Sequence, residues 1–158
     1  MNRSPEGAEG GADSTAERSG AEGYRAFDHT GDLGLEVWAP TPERLFALAA
    51  EVVSAQAVES HSGPAVVRRV LSLEGDGPED LLVHWLNTSL LESELGHAVW
   101  TRIRVTALTS RRLEAELEGQ PLDRSRQVFL REIKAVSHHH LDLDLAGTPC
   151  RCRLVLDL

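Results

Sequence analysis

A chain of 158 residues, 41% of them hydrophobic, is long enough to form one domain with a real core. Its net charge of −9 excludes a broad nucleic-acid-binding surface, which needs an excess of Lys and Arg, and fits either a basic partner or plain solubility. No apolar run is long enough to cross a bilayer, so no membrane association is expected.

The N-terminal stretch MNRSPEGAEGGADSTAERSGAEG lacks the apolar segment of a secretory signal and has no bulky apolar side chain after Met1. Such a composition cannot offset its own ordering entropy. Residues 1–22 are therefore expected to be a disordered tail ahead of one domain over 23–158. Cys150 and Cys152 are the only cysteines. On a strand they share a face and are poorly placed for a disulfide, which predicts reduced thiols and a cytoplasmic protein.

Taken in chain order, Tyr24 to Asp28 reads as a first strand. Leu33, Leu35 and Val37 alternate with Gly34, Glu36 and Trp38 as a second. Thr41 is an N-cap, Pro42 the first helical position, and Glu43 complements the helix dipole. Leu45, Phe46, Ala49, Val52 and Val53 then recur at helical spacing, predicting a helix from Pro42 to Ala57 that HSGP at 61–64 closes. Val67, Arg69, Leu71 and Leu73 predict a strand. GDGPED at 75–80 opens a second helix whose broad apolar face includes Leu81, Trp85 and Leu90, with Gly96 as its stop. Trp100 to Leu108 and Leu113 to Leu117 follow as two strands, the second with the clearest half-exposed alternation. QPLDRSR is a loop. REIKAVSHHHLDLDL is one long or broken strand, and RCRLVLDL ends the chain with Leu154, Leu156 and Leu158 expected on one inward face. The order β-β-α-β-α-β-β-β-β predicts an α+β domain, two helices on a mostly antiparallel sheet.

Four features carry possible chemistry. Asp28, His29, Thr30 and Asp32 sit with Gly31 and Gly34 at the start of the ordered region. Carboxylates beside flexible backbone suit Ca²⁺ or Mg²⁺, but Asp and Thr also cap ordinary turns. Asp157 and the α-carboxylate of Leu158 lie at the end of a strand that should be docked, where they read either as solvated acids or as partners for Asp32 in a hard-cation site. Lys134 is either a surface lysine or a cation that pairs with such a cluster or reaches a phosphate. His138, His139 and His140, with Cys150 and Cys152, match no common zinc spacing. There is no Gly-rich phosphate loop, nucleophile elbow or paired-histidine metalloprotease motif.

These residues resemble a known family. FDHTGDLGLEVWAPTPERLFALAA is similar to the opening of the archease family, whose signature reads close to DHTADIG followed by a Thr-capped helix carrying a Leu-Phe pair. The resemblance continues through DLLVHWLN (80–87), REIKAVSHH (131–139) and the terminal LVLDL. It implies a non-enzymatic accessory protein that promotes guanylylation and multiple turnover of an RtcB-type RNA ligase in tRNA splicing and RNA repair. It also implies a divalent metal ion, of the Ca or Mg/Mn type, held by Asp32, Asp157 and Leu158. The resemblance also associates Lys134 with activation, and His29 is expected to act beside the site, either behind a metal ligand or as a contact residue. Direct stable binding of nucleic acid is not expected. Gly31 stands where the family usually has Ala, Thr88 and Ser89 where an acid and Leu are common, and SHHH where Thr-aromatic-His is usual. Two further readings are a self-contained metal-dependent phosphohydrolase that uses the same acids and a general chaperone or assembly factor.

Overall fold

The computed structural model describes residues 22–59 and 63–158. The expected tail over 1–22 lies, apart from Glu22, outside the described residues, as do His61 and Ser62 of the HSGP stop.

Alternation first produces a hairpin. β1 (Gly23–His29) and β2 (Asp32–Ala39) pair antiparallel from Gly23↔Trp38 to His29↔Asp32. The turn is made by Thr30 and Gly31, and Gly31 has φ +79°, a conformation that favours glycine. Among the described residues neither Asp28 nor Thr30 bonds the turn through its side chain. Backbone geometry at Gly31, rather than polar capping, closes the hairpin. α1 (Pro42–Ala57) begins at Thr41, whose hydroxyl accepts a hydrogen bond from the Arg44 N–H at 3.2 Å. It buries Leu45, Phe46, Leu48, Ala49, Val52 and Val53, as its spacing predicts.

Two elements escape a pattern-based reading. β3 (Val58–Glu59) follows α1 directly and pairs with β7 (Val128–Phe129), which lies between the expected QPLDRSR loop and the REIKAVS segment. Two residues are too few to carry a period. β4 (Val67–Glu74) precedes α2 (Pro78–Gly96), which has Gly77 at its N-cap with no side-chain bond. The Asp80 carboxylate instead accepts from the Asp76 N–H at 2.9 Å. α2 stops where Gly96 predicts, but the left-handed position is His97, at φ 46°.

β5 (Ala98–Leu108) and β6 (Arg112–Pro121) complete a three-stranded sheet in the order β4-β6-β5. The last segment breaks into β8 (Ala135–Val136), β9 (Asp142–Asp144) and β10 (Cys150–Asp157). β10 inserts beside β2, giving the order β1-β2-β10-β8 with β9 also on β10, and every pairing is antiparallel. The domain is thus α+β, as the sequence predicts.

The helices and the inward faces of the two larger sheets share one core, with Trp85, Phe46, Leu35, Leu117 and Leu154 fully buried. Both buried indoles find carbonyl acceptors. Trp85 Nε1 donates to Phe46 O at 2.9 Å, and Trp100 Nε1 donates to Ser89 O at 3.0 Å. Cys150 and Cys152 are free thiols in this core. Leu154 and Leu156 face inward as expected, but Leu158 is 41% exposed because it lies beyond the last paired residue of β10.

Candidate functional site: a carboxylate pair at the end of the large sheet

The site is built by strand order. β2 and β10 pair in a continuous register that ends Val155↔Gly34 and Leu156↔Leu33. One more residue places Asp157 opposite Asp32. Paired residues share a face, so the buried Leu33, Leu35, Leu154 and Leu156 point to the core while Asp32 and Asp157 lie on the outer face. The two candidate acids from opposite ends of the chain are therefore cross-strand neighbours.

The row extends on both sides. His29 pairs with Asp32 across the hairpin, and Asp157 pairs with Ala135 of β8. The Lys134 N–H donates to the Asp157 carbonyl at 2.9 Å, and the Ser137 N–H donates to Val155 O at 3.1 Å, so the KAVS segment is stitched to the strand that carries Asp157. Lys134 makes no ion pair with Asp32 or Asp157. Its side chain lines a groove against α2.

Two neighbours were not legible from spacing. Asn87, the last residue of DLLVHWLN, takes the Val136 N–H on Oδ1 at 2.8 Å and donates from Nδ2 to Val136 O at 3.1 Å. It therefore clamps the short strand β8 from α2. Both motifs were visible in the sequence, but not that one holds the other. The second neighbour is His140, at φ 60°, whose ring lies 4.9 Å from that of His29. His29 Nδ1 is buried with no hydrogen-bond partner among the described residues. Residues 138–140 form a turn rather than a strand, which separates their side chains. His138 approaches Asp80 at 3.9 Å while His140 reaches His29.

The outer face beside the acids is closed by a ring. Phe27 pairs with Gly34, and its ring covers the position a Gly34 side chain would take, 2.1 Å from an added Cβ. The Arg153 guanidinium lies over that ring at 4.2 Å.

The donor set available to a cation consists of oxygens: the Asp32 and Asp157 carboxylates and the α-carboxylate of Leu158. That chemistry fits a hard divalent ion such as Ca²⁺ or Mg²⁺, which also takes water and partner oxygens. Among the described residues, no three His, Cys, Asp or Glu side chains are grouped to hold a metal unaided. Cys150 and Cys152 are buried whereas His138 to His140 are exposed, so the thiols and these imidazoles do not form a zinc site.

Fold and sequence together place this small α+β domain in one protein family. Residues 24–158 match the Archease protein family (MTH1598/TM1083), and the chain belongs to it. It is 26% identical over 139 residues to protein archease of Methanosarcina barkeri, covering 85% of this chain and 95% of that one. It is 25% identical over 138 residues to protein archease of Methanopyrus kandleri, covering 85% and 99%. The solution structure of Methanobacterium thermoautotrophicum protein 1598 superposes with a TM-score of 0.69 at 20% identity, over 85% of this chain and 98% of that one, a likeness of fold.

Proposed function

We propose that this protein is a non-catalytic activator of an RtcB-type RNA ligase, promoting guanylylation and multiple turnover of that enzyme in tRNA splicing and RNA repair. The observation that carries the reading is the register that brings Asp32 and Asp157 together from opposite ends of the chain. Two acids held at one end of a braced sheet suit a group that assists another protein's active site.

In this reading Asp32, Asp157 and the α-carboxylate of Leu158 hold a divalent cation, which supplies positive charge to nucleotide phosphates when bound. Gly31 and the β2–β10 pairing present the half-buried acids at one end of the sheet, from where they meet a partner. Asn87 and the Lys134–Asp157 backbone bond hold the KAVS segment in place, so that Lys134 reaches the partner from a defined position. His29 and His140 flank the acids as contact residues. The net charge of −9 favours docking on a basic ligase cleft over binding RNA directly. The buried, unpaired cysteines agree with a cytoplasmic protein.

The test is ligase guanylylation and RNA joining with and without this protein. The wild type should join no RNA alone but raise both ligase activities. Asp32→Ala and Asp157→Ala should lose that stimulation with unfolding curves unchanged, and Lys134→Ala should reduce it. Normal stimulation by both acid variants would remove the site assignment. Phosphate release from nucleotides by the protein alone, lost in Asp32→Ala, would replace the activator reading with a phosphohydrolase.

A further inference from the structure

A groove of about 720 Å³ runs between α2 and the stretch that leads from β7 into β8. Its walls are aliphatic and aromatic: Leu90 and Leu91 from the helix, with Leu122, Phe129, Leu130 and Ile133 facing them. Several of these side chains face solvent. Leu91 is 51% exposed and Leu130 47%, and Leu95, one turn beyond Leu91, is 67% exposed. A contiguous apolar strip of this kind on a soluble domain marks an interaction surface.

The rim has a distinct charge. Arg124, Arg131 and Lys134 line the groove, against the carboxylates of Glu94 and Glu132. Among the described residues none of the three cations is in an ion pair, and Arg124 lies over the Phe129 ring at 4.9 Å. Other arginines are matched, among them Arg44 with Glu22 and Glu51, Arg104 with Glu116, and Arg112 with Glu74 and Glu114, although among the described residues Arg102, Arg111, Arg126 and Arg153 are in no ion pair. The lining thus carries a slight excess of cations over carboxylates, in a chain whose net charge is −9.

The groove also adjoins the carboxylate site. Its far wall ends at Lys134, whose N–H is bonded to Asp157, and Asn87 lines it while clamping Val136. A segment seated in the groove would approach the end of the sheet that carries the acids.

We infer that this groove docks an apolar, carboxylate-bearing segment of the partner protein, its aliphatic side chains between α2 and Leu130 and its acids on Arg124, Arg131 and Lys134. That this partner is the ligase rests on the function proposed above. The groove and the carboxylate pair then divide the labour: the first provides affinity and the second provides activation. Single-stranded RNA is the other ligand that combines anionic groups with flat apolar ones. The aliphatic walls and the acidic chain favour protein.

Two measurements on the full chain test this. In the first, binding of purified RtcB-type ligase is titrated against the wild type, Leu91→Asp, Leu130→Asp and the double charge reversal Arg124→Glu/Arg131→Glu. Each groove variant should bind about tenfold or more weakly, and stimulation should recover at high protein concentration. Asp157→Ala should instead lose a stimulation that raising the protein concentration does not restore. In the second, NMR shift changes are followed on adding a synthetic Leu/Glu amphipathic peptide, its Leu/Lys counterpart, or oligouridylate. Only the Leu/Glu peptide should perturb α2 and residues 129–134, and added salt should weaken it.

Ligase binding unchanged in every groove variant would overturn the proposal while leaving the activator reading in place. Occupation of the groove by the Leu/Lys peptide or by oligouridylate would overturn its chemistry. If the ligase ignores the wild type while the Leu/Glu peptide fills the groove, the ligase assignment falls and the groove's ligand class stands.

Discussion

The side-chain amide of Asn87 makes both hydrogen bonds that the backbone of Val136 offers, at 2.8 Å and 3.1 Å, and so fastens a two-residue strand to the middle of the domain. Val136 is buried, so removing the amide strands an N–H and a C=O away from water. Asn87→Ala should destabilise the fold by about 1–3 kcal/mol, read by urea unfolding. Because β8 pairs with Asp157, the same variant should also lose part of its ligase stimulation at temperatures where it remains folded. Wild-type stability in Asn87→Ala would mean that β8 is held by its strand pairing alone.

Gly34 is required by a ring rather than by its own φ. A Cβ there would lie 2.1 Å from Phe27, so Gly34→Ala should cost about 1–3 kcal/mol through forced displacement of that ring. Pairing it with Phe27→Ala should recover part of the loss. A double-mutant cycle measures the coupling, and strictly additive losses would show that the ring is not the obstacle.

Asp32 and Asp157 repel each other as cross-strand carboxylates, an arrangement that costs up to about 1 kcal/mol per like-charged pair. Asp32→Asn in chelator-treated protein should therefore be as stable as the wild type or slightly more so. Calcium, magnesium or manganese should raise the wild-type Tm, by about 8 °C at a hundredfold excess over Kd, and should leave Asp32→Asn unchanged. Equal shifts in both proteins would place the bound ion elsewhere.

Burial pushes the Cys152 thiol from its ordinary value of 9.0 up to about 12. In the unfolded chain this thiol ionises near 9, whereas in the folded protein it keeps its proton. Between those values the unfolded state binds fewer protons, so stability falls as pH rises from about 9 toward 12 and is unaffected below that window. The loss approaches about 1.4 kcal/mol per pH unit at most. Cys152→Val should flatten this part of the alkaline stability curve relative to the wild type in paired denaturation series. Identical curves would show that the thiol does not carry the dependence.

Both helices and the main strands were legible because their signals are local. Thr41 and Pro42 define a start, the spacing from Leu45 to Val53 defines a buried stripe, and Leu33, Leu35 and Val37 alternate. The same locality explains the misses. Val58–Glu59 and Val128–Phe129 are too short for a period and exist only because each supplies the other's hydrogen bonds. The three histidines read as strand only while their backbone is unknown, and the left-handed His140 turns them apart.

The sequence by itself determined that Asp157 faces away from the leucines of a terminal amphipathic strand, since alternation follows from the pleat alone, and that Asp32 stands at the turn before another such strand. Only the tertiary structure decided that they are neighbours. Strand partners are selected by the burial of whole faces and by backbone pairing between distant segments. Inserting β10 beside β2 therefore brings two acids from opposite ends of the chain to one end of the sheet, with Asn87 and His140 brought near from elsewhere.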